Sequence, residues 1–302
     1  MVCPVPRSGK LGFVGDYTGA VLTRYRRVRS WTFDAVSNPE LRTYSGTRFG
    51  TQRISGFAEY TGSFRGFGAI PPLFVGDTFT FLGYTAPTSG VPCSPGCAFT
   101  VESLVESVNI TWNWTRENRG VNWTINFTSN EAATVIDDFD DPCDDEVYCD
   151  DNPCDLTFIM YDPCAADAVV EFCNIVSASL TFTSRNIAYS NNSTSCVVKR
   201  EVGNLDWTLE VVDQNPCIIP VLNADYWFDI LATVSPASKW RLKWGNNTGV
   251  TNLNVDTESG EIISKTNTFG MQAVNCCVPG TPVRGSIIDP NGVTVWPYST
   301  PS

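Results

Sequence analysis

The chain contains no histidine among its 302 residues. That removes the Ser-His-Asp triad, the Cys-His pair and every histidine-containing metal site at once. No apolar run is long enough to span a bilayer as a helix, and mean hydropathy is −0.08. There is no GxGxxG, P-loop or GxSxG, so cofactor binding and a nucleophile elbow have no motif to rest on. Helical patterning is thin. Ser103–Val108 and Ser238–Trp244 could each form a turn or two, but neither carries a full amphipathic period, which sets an expectation of at most one short helix per domain. The N-terminal MVCPVPRSGKLGF lacks the charged-then-apolar layout of a secretion signal. Positive charge is short as well: 20 Lys and Arg stand against 32 Asp and Glu, a net −12. A chain this acidic repels nucleic acid, because the phosphate backbone requires cationic partners.

The few cations are concentrated. Residues 1–29 hold Arg7, Lys10, Arg24, Arg26, Arg27 and Arg29 against Asp16, a local balance of 6 − 1 = +5. With turn signals at Arg7-Ser8-Gly9 and Gly15-Asp16, this stretch reads as an extended basic arm. The plain reading is solvated charge. The sharper one is docking on an acidic neighbouring subunit, with Arg24, Arg26, Arg27 and Arg29 as interface candidates.

From Ser30 the chain alternates apolar and polar residues between Gly, Pro, Asn and Ser, the texture of short strands in a sandwich or barrel. VNITWNWT places Ile110, Trp112 and Trp114 on one face, ENRG supplies a turn, and VNWTINF returns, so residues 108–127 form a hairpin. A second version of this texture follows. GNLDWTLEV, PVLNADYWFDIL and VTNLNVDTESGEIISKTNTF repeat the order of SGFAEYTGSF, PLFVGDTFTFL and VNITWNWTRENRGVNWTINF. Pro72 pairs with Pro220, Asp77 with Asp225 and Phe79 with Trp227, each 148 positions apart (220 − 72, 225 − 77, 227 − 79). SWTF at Ser30–Phe33 matches SLTF at Ser179–Phe182. Trp112 and Trp114 fall opposite Leu253 and Val255, placing all four on an apolar face, and Glu117 falls opposite Glu258. The expectation is a duplicated all-β chain: two tandem β-sandwich or barrel domains at 30–136 and 175–275. They are flanked by the arm (1–29), an acidic Cys-rich insert (137–174) and a Pro/Gly-rich tail (276–302). In the tail, Ser286–Ile288 and Val293–Trp296 can each add a short strand to an open sheet edge, such as a neighbour's.

The insert offers three readings. Asp137, Asp138, Asp140, Asp141, Asp144 and Asp145 are calcium candidates by ligand chemistry, yet the EF-hand spacing is missing. Its cysteines lack the paired C-x2-C spacing of zinc knuckles. The remaining reading is an exposed loop stapled by disulfides and kept soluble by aspartates. Twelve cysteines imply an oxidising setting despite the absent export signal, which fits a particle assembled in a cytoplasm and released outside it. Cys93 and Cys97 are the best single disulfide candidate, closing a small loop.

Seven Asn-x-Ser/Thr triplets begin at Asn109, Asn113, Asn122, Asn126, Asn191, Asn192 and Asn246, and are read as surface polar residues. Glu117 and Glu258 are the candidates for carboxylate catalysis, set aside because both fall in tight turns; no catalytic residue and no cofactor is assigned. Nine tryptophans keep a sugar-stacking platform open as an alternative.

The order of the repeated blocks resembles the tail tube proteins of long-tailed bacteriophages, through GNLDWTLEV, PVLNADYWFDIL and NLNVDTESGEIISKTNTF. The likeness covers about two-thirds of the chain. The insert, the basic arm and the thin helix signal depart from the usual pattern. The resemblance implies sandwiches closing into stacked rings, three fused chains giving six pseudo-equivalent domains around a channel. It implies a virion structural protein, assembled in the host cytoplasm, whose partners are itself, other tail proteins and DNA passing without specific binding, with no membrane and no enzymatic role. A carbohydrate-binding surface protein and a decoration or baseplate-hub protein remain the other readings.

Overall fold

A computed structural model describes residues 14–17, 22–25, 27–37, 40–43, 51–54, 58–68, 70–84, 96–115, 120–129, 131, 133–139, 155–170, 174–190, 197–214, 220–233, 238–271, 286–288 and 294–296. The described residues are almost all strand, and the pairings whose register is resolved are antiparallel. The first series comprises β1 (Val14–Tyr17), β2 (Leu22–Tyr25), β3 (Val28–Ser37), β4 (Glu40–Thr43), β5 (Thr51–Ile54), β6 (Ala58–Phe67), β7 (Thr78–Tyr84), β8 (Gly96–Asn113), β9 (Gly120–Ser129) and β10 (Thr134–Phe139). The second comprises β11 (Asp155–Asp162), β12 (Ala168–Val170), β13 (Ile175–Ser190), β14 (Val197–Gln214), β15 (Asp225–Thr233), β16 (Ser238–Val255), β17 (Ile262–Met271), β18 (Ser286–Ile288) and β19 (Thr294–Trp296).

Two compact units divide the chain, and neither is one continuous segment. The first holds Met1–Val108, Trp123–Cys149 and Thr183–Leu205; the second holds Asn109–Asn122, Asp150–Phe182 and Asp206–Ser302. In the first, β1 lies between β2 and β7, and β8 lies between β7 and β10. A second layer pairs β6 with β3 and with β9. The layers meet through aromatic rings: Phe127 sits 4.6 Å from Phe81 and 5.6 Å from Phe79, and Phe64 6.1 Å from Phe79. Alternation along each strand puts these rings on one face, as sandwich packing requires.

The second unit repeats the scheme. β11 lies between β12 and β15, and β16 pairs with β15 and β18. β17 pairs with both β16 and β14. Phe269 packs 4.7 Å from Phe228 and 5.9 Å from Tyr226. Even local irregularities recur. Gly76 (φ 96°) donates its N–H to Val105 O, and Val105 returns a bond to Asp77 O, both at 2.9 Å. Asn223 (φ 62°) likewise donates to Asn247 O, and Asn247 to Ala224 O. Arg27 and Asn174, both left-handed, each present a carbonyl to the end of the neighbouring strand, at Phe67 and Gln214.

These bonds correct the residue-level pairing of the two copies. Asp77 corresponds to Ala224, not Asp225, and Phe79 to Tyr226, not Trp227. A one-residue slip reverses the face of every side chain. Phe79 and Tyr226 therefore face the core, whereas Trp227 is half-buried beneath the Lys243 ammonium, 4.7 Å from its ring. The hairpins differ in exposure as well: Trp112 is 1% exposed, but Leu253 and Val255 are 52% and 42% exposed.

Other expectations also change. Ser103–Val108 and Ser238–Trp244 lie inside β8 and β16, because alternation with neighbouring strands decides where helical propensity is weak. Among the described residues the helical content is one 3-10 turn, Pro163–Ala165, capped by Asp162 Oδ1 accepting from the Cys164 and Ala165 N–H groups. Gly15-Asp16 is strand rather than turn: β1 is hydrogen-bonded on both edges, and Asp16 Oδ1 accepts the Thr80 N–H at 2.9 Å. The C-terminal part of the acidic insert is not loop. β11 fills a sheet position against β15, with Met160 fully buried. β18 adds to β16 of its own chain.

Candidate self-association surface

Among the described residues, the sequence-derived candidates do not converge on a reaction centre. Glu258 is exposed in a turn where Asp256 Oδ1 accepts the Glu258 N–H at 2.8 Å. Glu117, Asp140, Asp141, Asp144, Asp145, Cys93 and Arg26 lie outside the described residues. Asp137 and Asp138 belong to β10, Cys97 to β8 and Arg24 to β2. Among the described residues no group of three or more metal-ligating side chains assembles. Arg27 and Arg29 both lie over the Phe67 ring of β6, at 5.8 and 4.6 Å. Cys164 is disulfide-bonded.

The tryptophans argue against a stacking platform on the described surface. Trp112, Trp123, Trp207 and Trp240 are buried, and Trp31, Trp114 and Trp227 are half-buried. Asn246 is not on the surface either; its Nδ2 donates to buried Asp225 Oδ1 at 3.0 Å.

Two charged clusters in the second unit escaped the sequence reading. On β15, Asp229 is 1% exposed and is gripped by Arg241 through two bonds of 2.6 and 2.7 Å, by Lys239 at 2.9 Å and by the Tyr161 hydroxyl at 3.2 Å. Burial alone would raise its pKa, but the hydrogen bonds from Arg241 and then Lys239 hold the carboxyl below its ordinary value. On the core-facing side of β14 and β17, Lys265 Nζ lies 3.1 Å from Asp213 Oδ2, with both side chains almost fully buried. Burial pushes the Asp213 carboxyl up and the Lys265 ammonium down. Asn267, next along that face, is fully buried with neither amide atom hydrogen-bonded among the described residues. Period-two phase was the available signal: Asp213 follows Trp207, Leu209 and Val211, and Lys265 and Asn267 precede Phe269.

The most asymmetric features are two hairpin ends. The tip of β8–β9, residues 109–122, belongs to the second unit. There β8 pairs with β13: Trp114 N–H donates to Val176 O at 2.9 Å, Asn109 Nδ2 donates to Thr181 Oγ1 at 2.7 Å, and Thr111 Oγ1 lies 3.3 Å from Ser179 Oγ. Partner numbers fall as the β8 numbers rise, so the addition is antiparallel. The tip of β16–β17 has matching strand lengths, 18 and 10 residues, yet is exposed along residues 251–255 and 257–261. Its Leu253, Val255 and Ile263 are bare, and beyond Asn247 the described pairing of β16 is with β17 alone. At the other end of the series, β3 has one described strand partner, β6.

Set against known proteins, this chain matches no family model and no curated sequence.

Proposed function

We propose that the chain is a structural protein that polymerises into stacked rings, three chains giving six pseudo-equivalent modules. In this reading the rings form the tail tube of a bacteriophage, through which DNA passes. The observation that carries it is the recurrence of one strand-pairing scheme in both series, down to the Gly76/Asn223 turn and the Arg27/Asn174 strand entry. Two like modules in one polypeptide favour head-to-tail association, which closes into a ring when the rotation divides the circle. Closure also removes the open strand edges that an all-β chain otherwise exposes. The net −12 charge suits a conduit that DNA crosses without sticking. The proposed partners are therefore other copies and neighbouring tail proteins, and the proposed location is the virion.

Negative-stain microscopy of the purified full chain tests this reading. Rings or hollow rods are expected, and particles that stay single-chain at tens of micromolar would overturn it.

A further inference from the structure

The geometry points to the β16–β17 hairpin tip, residues 251–262, as a strand-addition arm that docks in a second copy of this chain on the edge of β3 that no described strand pairs. This rests on the self-assembly reading above and names its interface.

The duplicated scheme contains two hairpin arms, β8–β9 and β16–β17, and two receiving strands, β3 and β13. One arm and one receiver are already matched: β8 adds antiparallel to β13, and Trp112 and Val121 of that arm are buried. The other arm and the other receiver are both open in the described residues. Ile263 occupies in β17 the position of Val121 in β9, yet Val121 is 5% exposed and Ile263 42%. Leu253 and Val255, in the paired strand, are 52% and 42% exposed. These apolar residues lie at a hairpin end whose sister is joined to a strand edge, and a strand edge is what this end lacks among the described residues.

β3 carries Ser30, Thr32 and Asp34 at alternate positions, as β13 carries Ser179 and Thr181. The Ser30 and Thr32 hydroxyls meet Arg65 Nε and Ser63 Oγ of the same chain, at 2.7 and 2.9 Å, so the ladder to a second copy rests on the main chain of β3. Strand addition supplies main-chain hydrogen bonds along the edge, and alternate side chains set the register. Arm and receiver are different surfaces of the chain, so the contact is heterologous, and every added copy brings the same pair until a ring closes.

The test uses the full chain. A benzophenone amino acid replaces Leu253, assemblies are irradiated, and the crosslinked peptides are mapped. The expected result is an intermolecular crosslink within residues 28–37. In parallel, the L253K/I263K variant should keep the wild-type melting temperature, since both side chains are exposed, while the concentration for half-assembly rises about tenfold or more. Assemblies that form normally but crosslink elsewhere overturn the arm and leave ring formation standing. A wild-type chain that never associates overturns both. Unchanged assembly of the L253K/I263K variant also counts against the arm.

Discussion

Asp213 and Lys265 stand where the first copy places Gly66 and Trp123. Phe67 and Gln214 are matched by their bonds to Arg27 and Asn174, which puts Gly66 opposite Asp213. Trp123 and Lys265 are each the fourth residue of a ten-residue strand. In the first copy the Trp123 ring fills the space in front of Gly66, where a Cβ would also strike the Arg27 carbonyl. In the second copy an ion pair fills the same place. Both shifts run toward neutrality, and each lowers stability at neutral pH. A raised carboxyl contributes most below its ordinary range and loses that contribution as pH rises through it. A lowered ammonium contributes most above its ordinary range and loses it as pH falls. Replacing the pair by apolar residues removes both costs, so D213L/K265M is expected to unfold at higher urea than wild type, by about 1–4 kcal/mol. Lys265→Met alone leaves a buried carboxylate and should lose about 3–5 kcal/mol at pH 7. That loss should shrink as pH falls, because protonating Asp213 removes the stranded charge. Urea titrations of the three proteins at two pH values decide it; a double variant clearly less stable than wild type would show that the pair specifies packing rather than burdening it.

The element with the most to say is the hairpin, because the chain contains it twice in different surroundings. Trp112 is buried in the β8–β9 arm, whereas Leu253 is 52% exposed in the β16–β17 arm. Truncating Trp112 to Ala should cost about 3–5 kcal/mol through the cavity it leaves. Leu253→Ala in the unassembled chain should stay within about 0.5 kcal/mol. Thermal or urea unfolding at dilute protein separates them; similar losses would mean that the second arm is covered within the chain. This difference also marks what the sequence could reveal. The hairpin at 108–127 was readable because its tryptophans keep strict alternation and ENRG breaks it. Its counterpart was readable as a hairpin but not as exposed. Register shifts in β16, at Asn247/Gly249 and Thr251/Asn254, change which residues face inward, and nothing in LNVDTESG announces a bulge. The strand Asp155–Asp162 was hidden for another reason. The surrounding aspartates suggested a loop, although Leu156–Tyr161 is a short run rich in apolar and aromatic residues, as a strand covered on both sides would carry. KWRLKW in β16 is the converse case. Lys239, Arg241 and Lys243 line one face opposite Trp240 and Leu242, a strand pattern masked by the helix propensity of its lysines and leucine.

At the scale of the whole molecule, charge opposes what the strand edges favour. Each copy carries a net −12, so bringing two together costs electrostatic work that falls as salt screens it. A competing term comes from exposed cations such as Arg29, Lys239 and Arg241, which would attract an acidic neighbour and weaken with salt. The geometry favours the first term. Arg29 is stacked over Phe67, and Lys239 and Arg241 are turned to Asp229 of their own sheet, so much of that positive charge is already engaged within the chain. Main-chain bonds and apolar contacts in a strand-addition interface carry no net charge and survive high salt. Raising ionic strength from about 0.05 to 0.5 M, which shortens the screening length to a few ångströms, is therefore expected to lower the concentration for half-assembly. Sedimentation velocity across a salt series reads this directly. Assembly that dissolves as salt rises would place the basic residues, rather than the strand edges, in charge of holding copies together.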